Sequence, residues 1–463
     1  MLIANILDLI GRTPVIRLKH EPSFAQAGFP NFGATGRLVR LLLALLPAVV
    51  SASPLVFESQ TGPPTPREIA GFKTWLNEFR PDPNNENNAW AFGHSGQAIV
   101  AAGFLYETTG DIAFLNRMIA LAGTGLATRN DLAPTPVGHR PLWPGESTPA
   151  WGNEPAGSPG ASHAGPETAD VAGRIAYCAW LILKTPALAD RIVPDGDPFR
   201  FGATYAGRAR NFVRLLDATA DGFVVPWFVR QTDHSHYYYP KDRRYVRSLP
   251  GPDNSGDPIP WNQQFMINHC LQRLAQCHEL LQDDPARVAF YDACVSASIA
   301  WFLDHTESHP GSKAHGVYYT WHYSLDDSKH VEDVVHAGLD LEGLYRAYLS
   351  GRYGAVLSRA HLQAFANDVV DVLPLGLNRW AGMVDGENKS GHAAMTDFPR
   401  PALLLMLEFR PDAFGFFANA AMTAKRTAGD PTAIAHLLWV RYRLSPTGGP
   451  AGGGSPATTS IEK

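Results

Sequence analysis

The stretch AWAFGHSGQAIVAAGFLYETTGDIAFLNRMIALAGTGLAT, residues 89–128, decides the fold. Apolar residues recur at helical spacing in two segments, Ala89 to Thr109 and Ile112 to Thr128. They meet at Thr109-Gly110-Asp111, where glycine suits the end of one helix and aspartate the start of the next. The segment therefore reads as a helical hairpin. The pattern continues along the chain. Thr168 to Lys184 pairs with Ala203 to Ala218. Asn262 to Gln282 pairs with Ala286 to His305, and Val331 to Ser350 with Ser358 to Val372. Arg400 to Phe409, Ala413 to Lys425 and Pro431 to Tyr442 end the series. Alternation of period two is nearly absent, so the expected class is all-α. Each hairpin has an apolar face that only its neighbours can cover. The expectation is an (α/α) barrel, a toroid of five to six helical hairpins; a superhelical solenoid is the alternative. The connections at 131–165, 224–260, 309–330 and 375–398 are long, and long loops carry function. They alternate with short turns, which places them on one rim.

Bulk composition agrees with a large folded core. The chain has 463 residues, 45% hydrophobic and 18% charged, with a net charge of −5. No basic face stands out, so nucleic acid is not an expected partner. None of Cys178, Cys270, Cys277 and Cys294 forms a CxxC pair, which argues against a thiolate zinc site. Seven residues of helix separate Cys270 from Cys277, too far for a disulfide. Cys277 and Cys294 flank the turn at Asp284-Pro285 and are candidates to face each other, either bridged or as buried thiols.

The N-terminal part reads differently. Arg37-Leu-Val-Arg40, the apolar run Leu41 to Val50 and then Ser51, Ala52 and Ser53 have the form of a secretory signal. The run is too short to span a bilayer. A secreted protein is expected, with no membrane attachment once mature. Asn5-Ile-Leu-Asp-Leu-Ile-Gly-Arg-Thr-Pro-Val-Ile-Arg-Leu18 resembles the opening of cysteine synthase, a pyridoxal-phosphate enzyme. No lysine motif or glycine-rich phosphate loop follows it, so residues 1–36 are read as a wrong start site or spurious fusion. The expected organisation is 1–53 as this extension plus signal, 54–444 as the catalytic toroid, and 445–463 as a disordered tail rich in Gly, Pro, Ser and Thr. Asn388-Lys-Ser390 is a glycosylation sequon.

Two segments concentrate chemistry. The first is Pro226-Trp-Phe-Val-Arg-Gln-Thr-Asp-His-Ser-His-Tyr-Tyr-Tyr-Pro-Lys-Asp-Arg-Arg-Tyr245. It puts His234, His236, Tyr238, Tyr239, Arg243 and Arg244 on one loop, beside Trp227. Asn262 and Gln263 follow at the next helix start and suit a carboxylate or a sugar hydroxyl. The second is Trp321-His-Tyr323 with Glu332-Asp-Val-Val-His336. On one helix, His336 would have acids one turn either side, which fixes an imidazole tautomer and raises its basicity. The group could also hold a metal, but HExxH is absent, so no metal is expected, and no cofactor is assigned. His94, His139 and His163 sit near loop ends; His94 and His163 are candidates for the cleft. Glu154 and Glu167 have no special context.

Trp90-Ala-Phe-Gly-His-Ser, the Tyr106-Glu-Thr-Thr-Gly-Asp turn with Phe114-Leu, Arg129-Asn-Asp, and Tyr323 through Glu332-Asp-Val-Val-His-Ala337 resemble parts of (α/α)-toroid polysaccharide lyases acting on uronic acids. They are also similar to uronyl epimerases and helical-toroid glycosidases. The resemblance covers residues 65–440. It implies β-elimination on a uronate glycan, in which the C5 proton is removed while the neighbouring carboxylate is neutralised. The catalytic candidates are His234, His236, Tyr238, Tyr239 and His336. Substrate binding is assigned to Trp227, Arg243, Arg244, Asn262, Gln263, Trp321, His322, Tyr323, Glu332, Asp333, His94 and His163. The partner is then a polysaccharide or oligosaccharide. An inverting glycoside hydrolase is the alternative, with two carboxyls drawn from Asp233, Asp327, Glu332, Asp333, Asp385 and Glu387. A carbohydrate-binding toroid without catalysis is the non-enzyme alternative.

Overall fold

Thr65 opens the first helix with a reciprocal cap: its hydroxyl accepts from the Glu68 amide, and the Glu68 carboxylate accepts from the Thr65 amide. In this computed structural model the described residues are 55–83, 86–154, 162–229, 236–248, 253–311, 315–325, 330–376, 378–388 and 394–446. The extension, the signal-like run and the tail beyond 446 lie outside them.

The described residues are predominantly helical. The main helices are α1 (Pro66–Glu78), α2 (His94–Thr109), α3 (Ile112–Ala127), α4 (Glu167–Leu183), α5 (Tyr205–Thr219) and α6 (Trp261–Leu281). They continue with α7 (Pro285–Asp304), α8 (Val334–Ser350), α9 (Arg359–Asn367), α10 (Phe414–Thr423) and α11 (Pro431–Leu444). Two antiparallel pairs of short strands ornament the loops: β1 (Glu307–His309) with β2 (Tyr318–Thr320), and β3 (Pro374–Gly376) with β4 (Arg379–Trp380).

The most-buried elements form a cycle of neighbours. α2 packs on α4, α4 on α6, α6 on α8, α8 on the 3₁₀ segment Pro401–Glu408, that segment on α11, and α11 back on α2. Outside them, α3 packs on α2 and α4, α5 on α4, and α7 on α6. Side-chain pairs give the directions. Asp170 meets His269 and the Ala176 carbonyl meets Cys277, so α4 and α6 run the same way. His269 meets Arg346, and a β-carbon on Gly343 would lie 2.6 Å from that of Phe265, so α8 follows α6. Glycine is required there: the helices approach too closely for a methyl group. Parallel helices bring the N-terminal ends of α4, α6 and α8 to one side.

Several boundaries differ from expectation. The helix read over Ala89 to Thr109 is broken: Asn87–Trp90 is one short turn, and α2 starts at His94 after Gly93. A side chain at Gly93 would lie 2.7 Å from the Asn88 carbonyl, so the close turn needs glycine. The helix expected from Val331 starts at Val334, because Asp333 caps it by accepting from the Val335 and His336 amides. Glu332 and Asp333 therefore precede the helix. Arg400 to Phe409 is 3₁₀ rather than α. All four cysteines are free and buried, so Cys277 and Cys294 form no bridge. α7 is apolar and long enough to cross a bilayer by length and composition. It packs on α6 with Tyr291, Cys294, Val295, Ser298, Ile299 and Phe302 buried.

Candidate active site

Glu167 is the first residue of α4, and Gln263 stands in the first turn of α6. The Gln263 amide donates to Glu167 Oε1 at 2.9 Å, and its carbonyl oxygen accepts from the Tyr239 hydroxyl at 2.7 Å. Both neighbours thus fix the orientation of this amide. Tyr239 is placed by its backbone: its amide donates to the Asp257 carbonyl and its carbonyl accepts from Gly256. Its ring stacks against Tyr245 at 5.9 Å. Burial lifts the Glu167 carboxyl above its ordinary range, although Gln263 and Asn153 donate to it. Glu167 Oε2 is sealed from solvent and has no protein partner.

His163 lies beside Glu167. A β-carbon on Gly165 would sit 2.3 Å from Glu167 Oε2 and 3.3 Å from His163 Nε2, so glycine leaves the space both groups border. His163 Nδ1 is 3.0 Å from Ser248 Oγ. The Ser248 hydrogen is donated to the Tyr245 carbonyl at 2.7 Å, so Nδ1 carries the imidazole hydrogen and Nε2 keeps a lone pair. Burial depresses His163 to about 4, and the ring is neutral at neutral pH.

The second half of the site is built around the start of α8. His336 Nδ1 lies 2.9 Å from Asp333 Oδ2 and 3.7 Å from Glu332 Oε1. Burial works against the charged imidazole, but the two carboxylates outweigh it and lift His336 to about 10. Glu332 is fully buried, and its Oε2 has no protein partner. Asp340, also fully buried, accepts from Trp321 Nε1 at 2.9 Å. Burial and the Glu332 charge push Asp340 well above the carboxylate range. Tyr323 sets its ring against His336 at 5.1 Å. Burial lifts its phenol, and after burial the causes are Glu332, Asp333, Glu167 and Asp340. Tyr239 in turn senses Tyr323 and Glu167. The Trp261 amide, at the start of α6, donates to the Tyr323 carbonyl at 3.4 Å, so the two halves share one neighbourhood, at the end where α4, α6 and α8 begin. Asn262 is buried there with Oδ1 unpartnered, and Arg400 is close enough to sense Asp333.

Of the residues singled out in the sequence, this end gathers His163, Tyr239, Asn262, Gln263, Trp321, Tyr323, Glu332, Asp333 and His336. Others lie elsewhere. His236 and Tyr238 pack on Trp301 of α7, with ring centroids 3.6 and 6.5 Å away. Trp227 packs edge-on to Trp143 at 4.9 Å, with the Arg244 guanidinium 5.7 Å from its ring. Arg244 is exposed and pairs with Asp242 at 2.8 Å. Arg243 lines an open surface hollow of ≈ 390 Å³ with Lys241 and Arg247. His322 lies 3.9 Å from Glu307, and His94 is exposed at the start of α2. Among the alternative carboxyls, Asp385 accepts from the Glu387 amide at 3.0 Å. His234, Asp233 and Asp327 lie outside the described residues, as do Lys389 and Ser390 of the sequon.

Glu167 and Arg400 are additions to the sequence reading. Glu167 carries one usable signal, its position at the first turn of a helix that follows a long loop.

No protein-family model, no curated protein and no solved structure matches this chain.

Proposed function

We propose that the protein is a secreted polysaccharide lyase that cleaves a uronate-containing glycan by β-elimination, on an (α/α) toroid. The cycle of neighbours from α2 round to α11 supports the toroid. One observation carries the activity: the hydrogen-bonded series Tyr239–Gln263–Glu167 meets Tyr323 and the Glu332–Asp333–His336 group at the end where the inner helices begin.

The roles follow from the chemistry of the groups. Glu167 Oε2, without a protein partner, takes the C5 proton once the substrate opens the space that Gly165 leaves beside it. The C5–H electron pair becomes the C4=C5 double bond, and the bond from C4 to the leaving oxygen breaks. The Tyr323 hydroxyl gives its proton to that oxygen, and the proton held on Glu167 returns to Tyr323 through solvent as the product leaves and the site stands open. The uronate carboxylate lies against the Asn262 amide, whose N–H groups offset part of its charge. A carboxyl raised by burial is a stronger base than an exposed one, which suits proton abstraction from carbon.

An inverting hydrolase is the second reading. It is favoured by one feature: Tyr323 senses both Glu167 and the Glu332–Asp333 pair, so carboxyls approach it from two elements. Incubation of the protein with a panel of uronate glycans decides between them. A rise in near-ultraviolet absorbance marks the unsaturated lyase product. Reducing ends released without that rise mark hydrolysis, and neither signal on any uronate glycan refutes both.

A further inference from the structure

Three carboxyl groups and one imidazole crowd the start of α8. Glu332 and Asp340 are fully buried and Asp333 nearly so. Among the described residues, no lysine or arginine forms an ion pair with any of the three; His336 is the one cationic partner, through Asp333 and Glu332. Removing the Glu332 and Asp333 charges from water is costly unless positive charge is supplied.

The donor atoms are arranged to receive it. One ligand atom each from Glu332, Asp333 and His336 lies within 4.8 Å of the others. The His336 Nδ1 separations are 2.9 Å to Asp333 and 3.7 Å to Glu332. Ligands about 2.0–2.2 Å from a common ion stand roughly 3 Å apart, so these separations are of the right order. His336 Nδ1 is sealed from solvent and satisfies hydrogen-bond geometry with neither carboxylate. An independent sign comes from deeper in the protein. Asp340 Oδ1 and Glu332 Oε2, both on fully buried side chains, have no hydrogen-bond partner. Two such oxygens either share one proton or back a metal ligand from behind.

We propose that Glu332, Asp333 and His336 bind one divalent cation, with Asp340 and Trp321 orienting Glu332 behind them. Two carboxylate oxygens and one imidazole nitrogen suit zinc or manganese. Three protein ligands leave coordination positions open. Under the lyase reading, on which this role rests, those positions take the uronate carboxylate beside the C5 proton.

The test is binding, measured on the full chain. After dialysis against EDTA, titration calorimetry with MnCl₂ and with ZnCl₂ gives one equivalent bound. Glu332→Gln and Asp333→Asn each weaken binding at least 10-fold, with the circular dichroism spectrum kept; asparagine retains the cap on α8. Should those variants fail to fold, wild-type crystals soaked in MnCl₂ decide through an anomalous peak among the three side chains. Absence of binding at millimolar Mn²⁺ and Zn²⁺, or a peak elsewhere, overturns the proposal and leaves a shared proton between Glu332 and Asp340. The outcomes separate from those of the lyase reading. Metal bound here without unsaturated product from any glycan keeps this site and removes the lyase. Unsaturated product from a protein that binds neither ion removes this site and keeps the lyase.

Discussion

Glu68 and Arg441, 373 positions apart, form a two-pronged ion pair closed off from solvent: Arg441 Nη1 meets Glu68 Oε1 at 3.0 Å and Nη2 meets Oε2 at 2.5 Å. The pair joins α1 to α11. Removing one partner leaves the other charge buried and unpaired, which costs about 3–5 kcal/mol. Glu68→Gln and Arg441→Met are each expected to lower the urea midpoint accordingly. A midpoint within experimental error of wild type would show that the pair contributes nothing net.

Glu167→Gln keeps the hydrogen bond to Gln263 and removes the base. Its turnover is expected to fall about 10²–10⁴-fold with little change in KM, read from near-ultraviolet absorbance. Tyr238→Phe, whose ring sits on Trp301, is expected to leave turnover unchanged. Equal effects of the two substitutions would place the chemistry elsewhere.

The pH dependence of turnover follows from the burial of Glu167, which raises its carboxyl above the ordinary 4.5. A base must be ionised to act, so activity rises with pH through that elevated value. The acid limb of the kcat profile is expected above pH 4.5 and is absent from the residual activity of Glu167→Gln. An acid limb that survives the substitution unchanged belongs to another group.

His163 sets a limit on acid stability. Its value is 6.5 when unfolded and about 4 when buried. Above pH 6.5 the ring is neutral in both states. Below it the unfolded chain takes the proton first, so stability falls with pH from 6.5 to 4, by about 3 kcal/mol at most. His163→Gln flattens that part of the curve in thermal melts between pH 4 and 7. An unchanged slope would mean that other groups govern it.

Gly343→Ala tests the contact between α6 and α8. Alanine favours helix by about 1 kcal/mol over glycine. The added methyl meets Phe265 at 2.6 Å, and overpacking of this kind costs roughly 1–3 kcal/mol. A net loss of melting temperature is expected. A gain would show that the two helices part easily.

The helices were readable because each has a strong local signature. Gly110-Asp111 ends α2 and starts α3, and Asp284-Pro285 starts α7; caps and period act over a few residues. Asp333 is also a local cap, but the apolar residues before it, Val331 above all, carry the helical pattern past its true start. The site was readable where residue type alone signals chemistry, as in Tyr323, Glu332, Asp333 and His336. The split of the tyrosine run was not. Tyr238 and Tyr239 are adjacent, and an extended backbone turns successive side chains to opposite sides: one toward Trp301, the other toward Gln263. Glu167 was passed over for a related reason. Its place in the site comes from Gln263, 96 positions away in sequence, whose amide donates to it.

The Glu68–Arg441 pair has a consequence for how the chain can be rewired. Arg441 also donates to the Ser59 carbonyl and, at 3.2 Å, to the Pro63 carbonyl, so both ends of the described chain lie side by side. A circular permutant that joins residue 446 to residue 55 with a short Gly/Ser linker and opens the Gly110 turn would keep every helix contact. The order of hairpins along the gene would then be a choice of starting point.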